Sequence, residues 1–400
     1  MNFTELGSEL LNEFDSYDEH EHVRRFELAD GIIAFIAVHN TNLGPALGGC
    51  RMLPYATEAE AINDVLRLSR GMTYKNAMAG LPLGGGKSVI IGNHRTQKTP
   101  ELMQAVGAAV ESFEGAYITA EDSGTAEEDM VEMAKQTGHV VGLPPEMLAG
   151  SEYGELGGNP SPLTALGCYH GIKAAISERY NNQKTLTNMR VAIQGVGAVG
   201  LALGQLLKQD GAELIVTDIS EEGLENAKKE LGDIEIVKPD EIFGVEADIF
   251  APCAMGGILN DETIPQLKVD IIAGAANNQL LKAHHDKKLM DKNILYIPDY
   301  VINAGGVICV GYEYFRKSNY NPKDFNIERG SMVTHVERIA GTVTDIIQSA
   351  QERSKAPGET ADCLAEEKFL NGSCSLNDND DSNEEDQAKF DVSGGTRLVQ

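Results

Sequence analysis

The chain has 400 residues, with 33 basic and 61 acidic side chains and a formal net charge of −28. That length fits about two domains with sizeable cores, and a 42% hydrophobic content excludes wholesale disorder. So acidic a surface sets nucleic acid aside as a partner, and no apolar run reaches the roughly 18 residues of a membrane span.

The N-terminus, residues 1–18, is acidic, with neither a basic nor an apolar stretch of the signal-peptide kind. It reads as a helix with a short lead. The runs 23–28 and 31–39 are β-rich and flank Ala29-Asp30-Gly31, a hairpin signal. Thr57 and Glu60 form a capping box for a helix whose stripe is Ala61, Val65 and Leu68, closed by Gly71. Ser88–Ile91 reads as a strand after a glycine-rich turn, Pro100–Phe113 as a helix and Ala116–Thr119 as a strand. Near residue 142 the texture turns to Gly, Pro and Ser, a junction or active-site loop. A helix over 164–180 leads into a strand-turn-helix-strand unit, and alternation continues to about Gly311. Helices are expected over 331–353 and 360–369. The fold class is therefore α/β. The last 30 residues carry seven acidic side chains against Lys389 and Arg397 and few apolar ones, which reads as a disordered acidic tail.

The six cysteines, at 50, 168, 253, 309, 363 and 374, are scattered, without C-x-x-C or zinc spacing. They read as free thiols of a reducing, cytoplasmic compartment, with no metal site.

Gly195-Val196-Gly197-Ala198-Val199-Gly200 is G-x-G-x-x-G between a β run and a helical run. Gly195 permits the tight turn, Gly197 lets the backbone approach a pyrophosphate, and Gly200 lets helix and strand pack closely. The helix N-terminus adds free N–H groups. A second strand ends at Asp218, placed to accept hydrogen bonds from ribose hydroxyls and to repel a 2′-phosphate, which favours NAD over NADP.

The segment 81–88 invites a phosphate-loop reading, but the spacing fails: the required glycine position is Leu81. Three glycines before Lys87 still bring backbone close to something small, and Lys75 lies twelve residues upstream. One lysine can bind a carboxylate; the other, if desolvated, can act as a base. Asp122 follows a β run, where α/β folds place functional groups, although a helix cap is an equal reading. Asn277-Asn278-Gln279 ends another strand, and Pro298 to Gly306 adds a turn with a glycine pair.

Together with GPALGGCRM, GGNPSPLTALG and APCAMGGILN, these segments resemble the Glu/Leu/Phe/Val amino-acid dehydrogenase family from about Phe26 to Phe369, nearest its leucine, valine and phenylalanine members. The resemblance implies that Lys75 holds the substrate α-carboxylate, Lys87 activates water and Asp122 shuttles protons. It places Asn278 on the substrate, Asn277 near the nicotinamide ribose and Thr164 on the carboxamide. Leu47, Gly48, Gly49, Met72, Ala120, Val307 and Val310 would line the pocket. Val196, Ala198, Val199, Cys253 and Ala254 would complete the NAD site. It also implies a substrate-binding and oligomerisation domain over 1–142, a Rossmann-type NAD domain over 143–330 and helices over 331–370 returning to the first domain. The active site would lie in the cleft between the domains, in a homo-oligomer (a dimer or octamer).

The implied reaction is oxidative deamination of an L-amino acid to its 2-oxo acid and ammonia, reducing NAD+. Leu47 and Val310 stand where a glutamate-specific relative needs a cation or hydroxyl, so an apolar substrate is expected, with leucine favoured and phenylalanine the alternative. Two departures from the family pattern affect pocket shape: Ser123 after Glu-Asp, and the expanded segment 151–162. A hydroxy-acid dehydrogenase would need a His or Arg in the cleft, and none of the nine His falls in the glycine-rich motifs. A non-catalytic NAD-binding protein would be favoured by loss of Lys75, Lys87 or Asp122, and all three are present. An interaction module carried by the tail is a third reading.

Overall fold

The computed structural model describes residues 2–147, 159–318, 320, 322 and 325–370. The acidic tail, Cys374 and most of the expanded segment 151–162 lie outside the described residues.

The first sheet contains β1 (Phe3–Glu5), β2 (His22–Glu27), β3 (Ile33–Asn40), β4 (Ala46–Leu53), β5 (Gly84–Ile91) and β6 (Tyr117–Glu121). Their spatial order is β1-β2-β3-β5-β4-β6. The strands from β1 to β5 pair antiparallel, whereas β4 runs parallel to both β5 and β6. The same stretch carries α1 (Ser8–Leu11), α2 (Glu58–Met78), α3 (Pro100–Glu111) and α4 (Glu127–Met133). Strand alternation divides the sheet between two cores. Phe35, Ala37 and Val89 pack with α2 residues Ala61, Ile62 and Val65, while Ala34, Ile36 and Ile90 pack with α3 residues Leu102 and Val106. Lys87 shares the parity of Val89 and so lies on the α2 side.

The second sheet is fully parallel and contains β7 (Arg190–Gln194), β8 (Glu213–Thr217), β9 (Glu235–Ile236), β10 (Ile249–Pro252), β11 (Ile271–Ile272) and β12 (Leu295–Tyr296). Its order is β12-β11-β10-β7-β8-β9, which reverses direction between β7 and β10. The accompanying helices are α5 (Ser161–Arg179), α6 (Ala198–Gln209), α7 (Glu221–Leu231), α8 (His284–Asp291), α9 (Asp299–Ile302), α10 (Gly305–Ser318), α11 (Arg329–Glu337), α12 (Ile339–Arg353) and α13 (Pro357–Phe369). One core joins the two halves. It includes Leu47, Leu81 and Leu83 from the first, Val191 and Ile193 from the second, and Val343 and Phe369 from α12 and α13.

Four sequence expectations are corrected. The N-terminal 20 residues form a three-residue strand before a one-turn helix. Helix α2 runs through Gly71 to Met78, because a Cβ there would meet open space and α2 continues packing against β5 beyond it. The glycines before Lys87 are strand rather than turn: β5 begins at Gly84. The single helix expected over 331–353 is two helices, which meet at Arg338.

Candidate active site

The three glycines explain how Lys87 is placed. A Cβ on Gly85 would lie 2.0 Å from the Thr73 backbone nitrogen, and one on Gly86 would meet the Tyr117 ring at 2.6 Å. Gly85 thus faces helix α2 and Gly86 faces Tyr117 on β6, rather than a small ligand. Bare backbone on β5 lets α2 settle directly onto the strand, bringing Met72 and Lys75 on the helix towards Lys87 on the strand. Gly48 and Gly49 on β4 are equally confined. A Cβ on Gly48 would strike Gly86 O at 1.7 Å and Met72 Cγ at 3.2 Å; one on Gly49 would sit 2.9 Å from Asp122 Cβ and 3.2 Å from Lys87 Nζ.

Asp122 follows the C-terminal end of β6, parallel to β4, the end at which such sheets present functional groups. Its Oδ2 accepts a hydrogen bond from Lys87 Nζ, and its Oδ1 accepts from the Ser123 backbone N–H. Arg51 Nε and Nη2 each reach Oδ1 at 3.3 Å. The two cations hold the Asp122 carboxyl well below the usual carboxylate range, despite the opposing effect of burial. The Lys87 side chain is 4% exposed.

Lys75, on the last turns of α2, donates from Nζ to Asn303 Oδ1 at 2.8 Å. Asn303 Nδ2 in turn donates to Asn277 Oδ1 at 2.7 Å and Ala275 O at 3.1 Å. A chain of polar contacts thus crosses the cleft between the halves. Burial pushes the Lys75 ammonium down to about 8, against the pull of nearby Asp299. Asp299 Oδ2 accepts from the Gln279 N–H at 2.9 Å and Tyr296 OH at 3.1 Å, which anchors the 277–279 segment. Asn278 holds a left-handed φ of 52°, and its side-chain oxygen lies 3.5 Å from Arg67 Nη1 on α2.

Leu47, Ala120 and Val307 belong to the shared core, with Met72 and Val310 packed against it. Thr164 stands at the start of α5, beside the start of α10; a Cβ on Gly306 would lie 2.8 Å from its Oγ1.

The glycine loop lies at the point where the second sheet reverses order, the position at which such sheets form a ligand crevice. Gly195 has φ +94°, and a Cβ there would meet Ala254 Cβ at 2.7 Å. A Cβ on Gly200 would strike Gly195 O at 2.0 Å and Cys253 Cβ at 3.3 Å, so Cys253 and Ala254 form the opposite wall. A Cβ on Gly197 would meet nothing within 4 Å, which leaves the approach open. Ala198, Val199 and Gly200 begin α6, whose N-cap has no side-chain partner and so leaves N–H groups free. Asp218 Oδ2 accepts from the Val196 N–H at 2.8 Å and Oδ1 from Ser220 N–H at 2.9 Å, fixing the carboxylate at the loop. Shielded Gln194 Oε1 and Thr217 Oγ1, at the ends of β7 and β8, have no hydrogen-bond partner among the described residues. Open glycine backbone, free helix N–H groups and an acceptor carboxylate fit a dinucleotide.

Sequence reasoning missed Arg51 and Asn303. Both stood within quoted motifs, but neither carries a local signal of its role. Among the described residues, Asp261, His284 and His285 form the one group with metal-like spacing. There His285 Nδ1 accepts the Lys282 N–H at 3.0 Å, its Nε2 faces Asp261 at 3.2 Å, and Lys288 Nζ lies 2.5 Å from the same carboxylate. That arrangement is satisfied by its own members.

A buried lysine–aspartate pair in the first half and a glycine loop where the parallel sheet of the second half reverses order fit a two-domain α/β oxidoreductase. Residues 20–139 match the Glu/Leu/Phe/Val dehydrogenase dimerisation domain, and 216–371 match the Glutamate/Leucine/Phenylalanine/Valine dehydrogenase model. The chain is 46% identical over 360 residues to a leucine dehydrogenase of Thermoactinomyces intermedius, covering 90% of this chain and 93% of the relative. It is 45% identical over 361 residues to a phenylalanine dehydrogenase of Caldalkalibacillus thermarum, covering 89% and 93%. The crystal structure of L-tryptophan dehydrogenase from Nostoc punctiforme superposes with a TM-score of 0.75 at 40% identity, covering 91% of this chain and 98% of that one. The chain belongs to the Glu/Leu/Phe/Val dehydrogenase family and is an amino-acid dehydrogenase acting on CH–NH2 donors with a nicotinamide dinucleotide. Among the described residues no helix is long and apolar enough to cross a membrane.

Proposed function

We propose that the protein catalyses the reversible oxidative deamination of an apolar L-amino acid, leucine favoured, to its 2-oxo acid and ammonia with NAD+ as oxidant. The observation that carries this reading is the Lys87–Asp122 pair beside Gly49, with Lys75 on the adjoining helix tied across the cleft to Asn303.

When bound, NAD+ supplies the acceptor for the hydride of the substrate Cα–H. Lys75 binds the substrate carboxylate, displacing or sharing its bond to Asn303, and so orients Cα. Asp122 takes a proton from the substrate amino group and returns protons as the reaction proceeds. Lys87 activates the water that attacks the iminium carbon, and the carbinolamine collapses to 2-oxo acid and ammonia. Asn278 contacts the substrate, Asn277 borders the nicotinamide ribose, and Thr164 orients the carboxamide. Burial of this cleft between two halves excludes water other than the reacting one.

Apolar Leu47 and Val310 support an apolar substrate side chain, since a second buried carboxylate would cost several kcal/mol. Asp218 supports NAD over NADP by repelling a 2′-phosphate. The near-equal identities to a leucine and a phenylalanine dehydrogenase favour an aromatic substrate as the second reading.

We further assign residues 1–142 to substrate binding and oligomerisation, 143–330 to NAD binding and 331–370 to helices returning to the first domain. The matched dimerisation-domain description supports a homo-oligomer, a dimer or octamer. The five cysteines among the described residues are free, which supports a reducing, cytoplasmic setting. Initial rates with each apolar L-amino acid, against NAD+ and NADP+, test the reading. No turnover on any of them would contradict it.

A further inference from the structure

The Asp122 carboxylate has two unlike oxygens. Oδ2 meets Lys87 alone. Oδ1 receives the Arg51 guanidinium through two nitrogens at 3.3 Å and also the Ser123 N–H. Arg51 is itself held from behind: its Nη1 donates to Asp64 Oδ2 at 3.0 Å, and Tyr55 OH donates to the same oxygen at 2.7 Å. The other Asp64 oxygen accepts from Arg67 Nη2 at 2.8 Å, and Arg67 also faces Asn278. The Arg51 and Asp64 side chains are only 18% and 15% exposed, so water screens this arrangement weakly.

Building on the reading that Asp122 moves protons, we propose that Arg51 is a positioning residue: it saturates Oδ1, so that the proton enters and leaves Asp122 at Oδ2, on the Lys87 side. Arg51 sits on β4 with Gly48 and Gly49, whereas Asp64 and Tyr55 approach from α2 and the segment before it. The brace therefore ties the catalytic carboxylate to the helix that carries Lys75. A planar fork suits this task because its donors are fixed relative to one another.

Other charged or titratable groups near Asp122 are Lys87 on β5, Cys50 on β4, Glu121 and Tyr117 on β6, and Lys75 on α2. Arg51 and Lys87 are the two cations whose charges hold the carboxyl down. Removing Arg51 would free Oδ1 and loosen the orientation of the carboxylate towards Lys87.

The test compares Arg51→Met, Arg51→Lys and Asp122→Asn in the full-length enzyme with L-leucine and NAD+. Arg51→Met is expected to lower kcat by about tenfold or more, with a smaller change in KM. Arg51→Lys keeps the charge but loses the fork, so it should recover kcat only part of the way to wild type, with KM near the wild-type value. In an Asp122→Asn background, Arg51→Met should add little further loss. A wild-type kcat in Arg51→Met would overturn the proposal while leaving Asp122 in its role. If Arg51→Met does not fold, full wild-type kcat in Arg51→Lys overturns it instead. Full turnover by Asp122→Asn would remove the reading beneath it.

Discussion

Lys75 Nζ lies 2.8 Å from Asn303 Oδ1, joining helix α2 of the first half to the segment between α9 and α10 of the second. A group proposed to bind the substrate carboxylate is thus the same group that spans the cleft. Asn303 continues the connection to Asn277, beside the proposed nicotinamide site. On the proposed role of Lys75, one ammonium couples substrate binding to cleft geometry.

Removing the amide should therefore affect both ligands. Asn303→Ala is expected to raise KM for L-leucine by about tenfold and to weaken NAD+ binding as well, because Asn277 loses its donor. Asn303→Asp should strengthen the bond to Lys75 and compete with substrate carboxylate. Steady-state KM values and NAD+ titration by protein fluorescence check both. Unchanged constants in the alanine variant would separate the bridge from binding.

The pH dependence of binding follows from the lowered Lys75 ammonium. Burial brings it to about 8, and a neutral amine cannot hold a carboxylate. Substrate affinity should be full below that value and fall as pH rises through it. The dissociation constant of a competitive 2-oxo acid or amino-acid analogue, measured from about pH 6 to pH 10, reads this directly. A flat profile would contradict the role of Lys75.

Asp218 fixes the glycine loop through the Val196 N–H as well as presenting an acceptor. Asp218→Ala should weaken NAD+ binding by at least about tenfold, and Asp218→Ser should narrow the preference for NAD+ over NADP+ by removing the repulsive charge. The ratio of kcat/KM for the two cofactors is the measurement. An unchanged ratio would take cofactor choice away from this carboxylate.

Much of this arrangement is legible in the sequence where the signal is local. The capping box expected at Thr57 and Glu60 is half realised: Thr57 Oγ1 accepts the Glu60 N–H at 3.1 Å, but the Glu60 carboxylate accepts from the Ala56 N–H at 2.9 Å, one residue before the N-cap. The loop 195–200 opens a helix after a strand, as its spacing requires. Gly71 misleads because glycine's propensity cost is only about 1 kcal/mol, which packing of α2 on β5 overrides. Gly84–Gly86 mislead because the groups they approach, Asn40, Thr73 and Tyr117, lie on other elements, invisible in a local window. Arg51 and Asn303 are hidden for a related reason. Their partners lie 71 and 228 residues away, so only the assembled sheet and cleft reveal them.

Glu313 on α10 makes the stability of the fold depend on pH. Its carboxylate is buried and accepts the Gly142 and Leu143 N–H groups at 3.1 and 3.2 Å, while Lys317 donates to Val140 O at 2.8 Å. Burial raises the Glu313 carboxyl from 4.5 to about 7. The native state therefore holds this proton more tightly than the unfolded chain. The resulting stabilisation, up to about 3 kcal/mol, is present below pH ~4.5 and lost as pH rises through 7. Glu313→Gln should melt with a smaller fall in Tm between about pH 5 and pH 8 than wild type. Parallel Tm curves would contradict this assignment.

The Lys87–Asp122 pair is proposed to deaminate an apolar amino acid against NAD+. The most direct measurement is NADH formation from L-leucine and NAD+ at alkaline pH by the wild-type enzyme and by Lys87→Ala, with NAD+ binding measured on both. The expected result is turnover by the wild type alone and intact NAD+ binding by the variant. Wild-type turnover rates in Lys87→Ala would contradict the account.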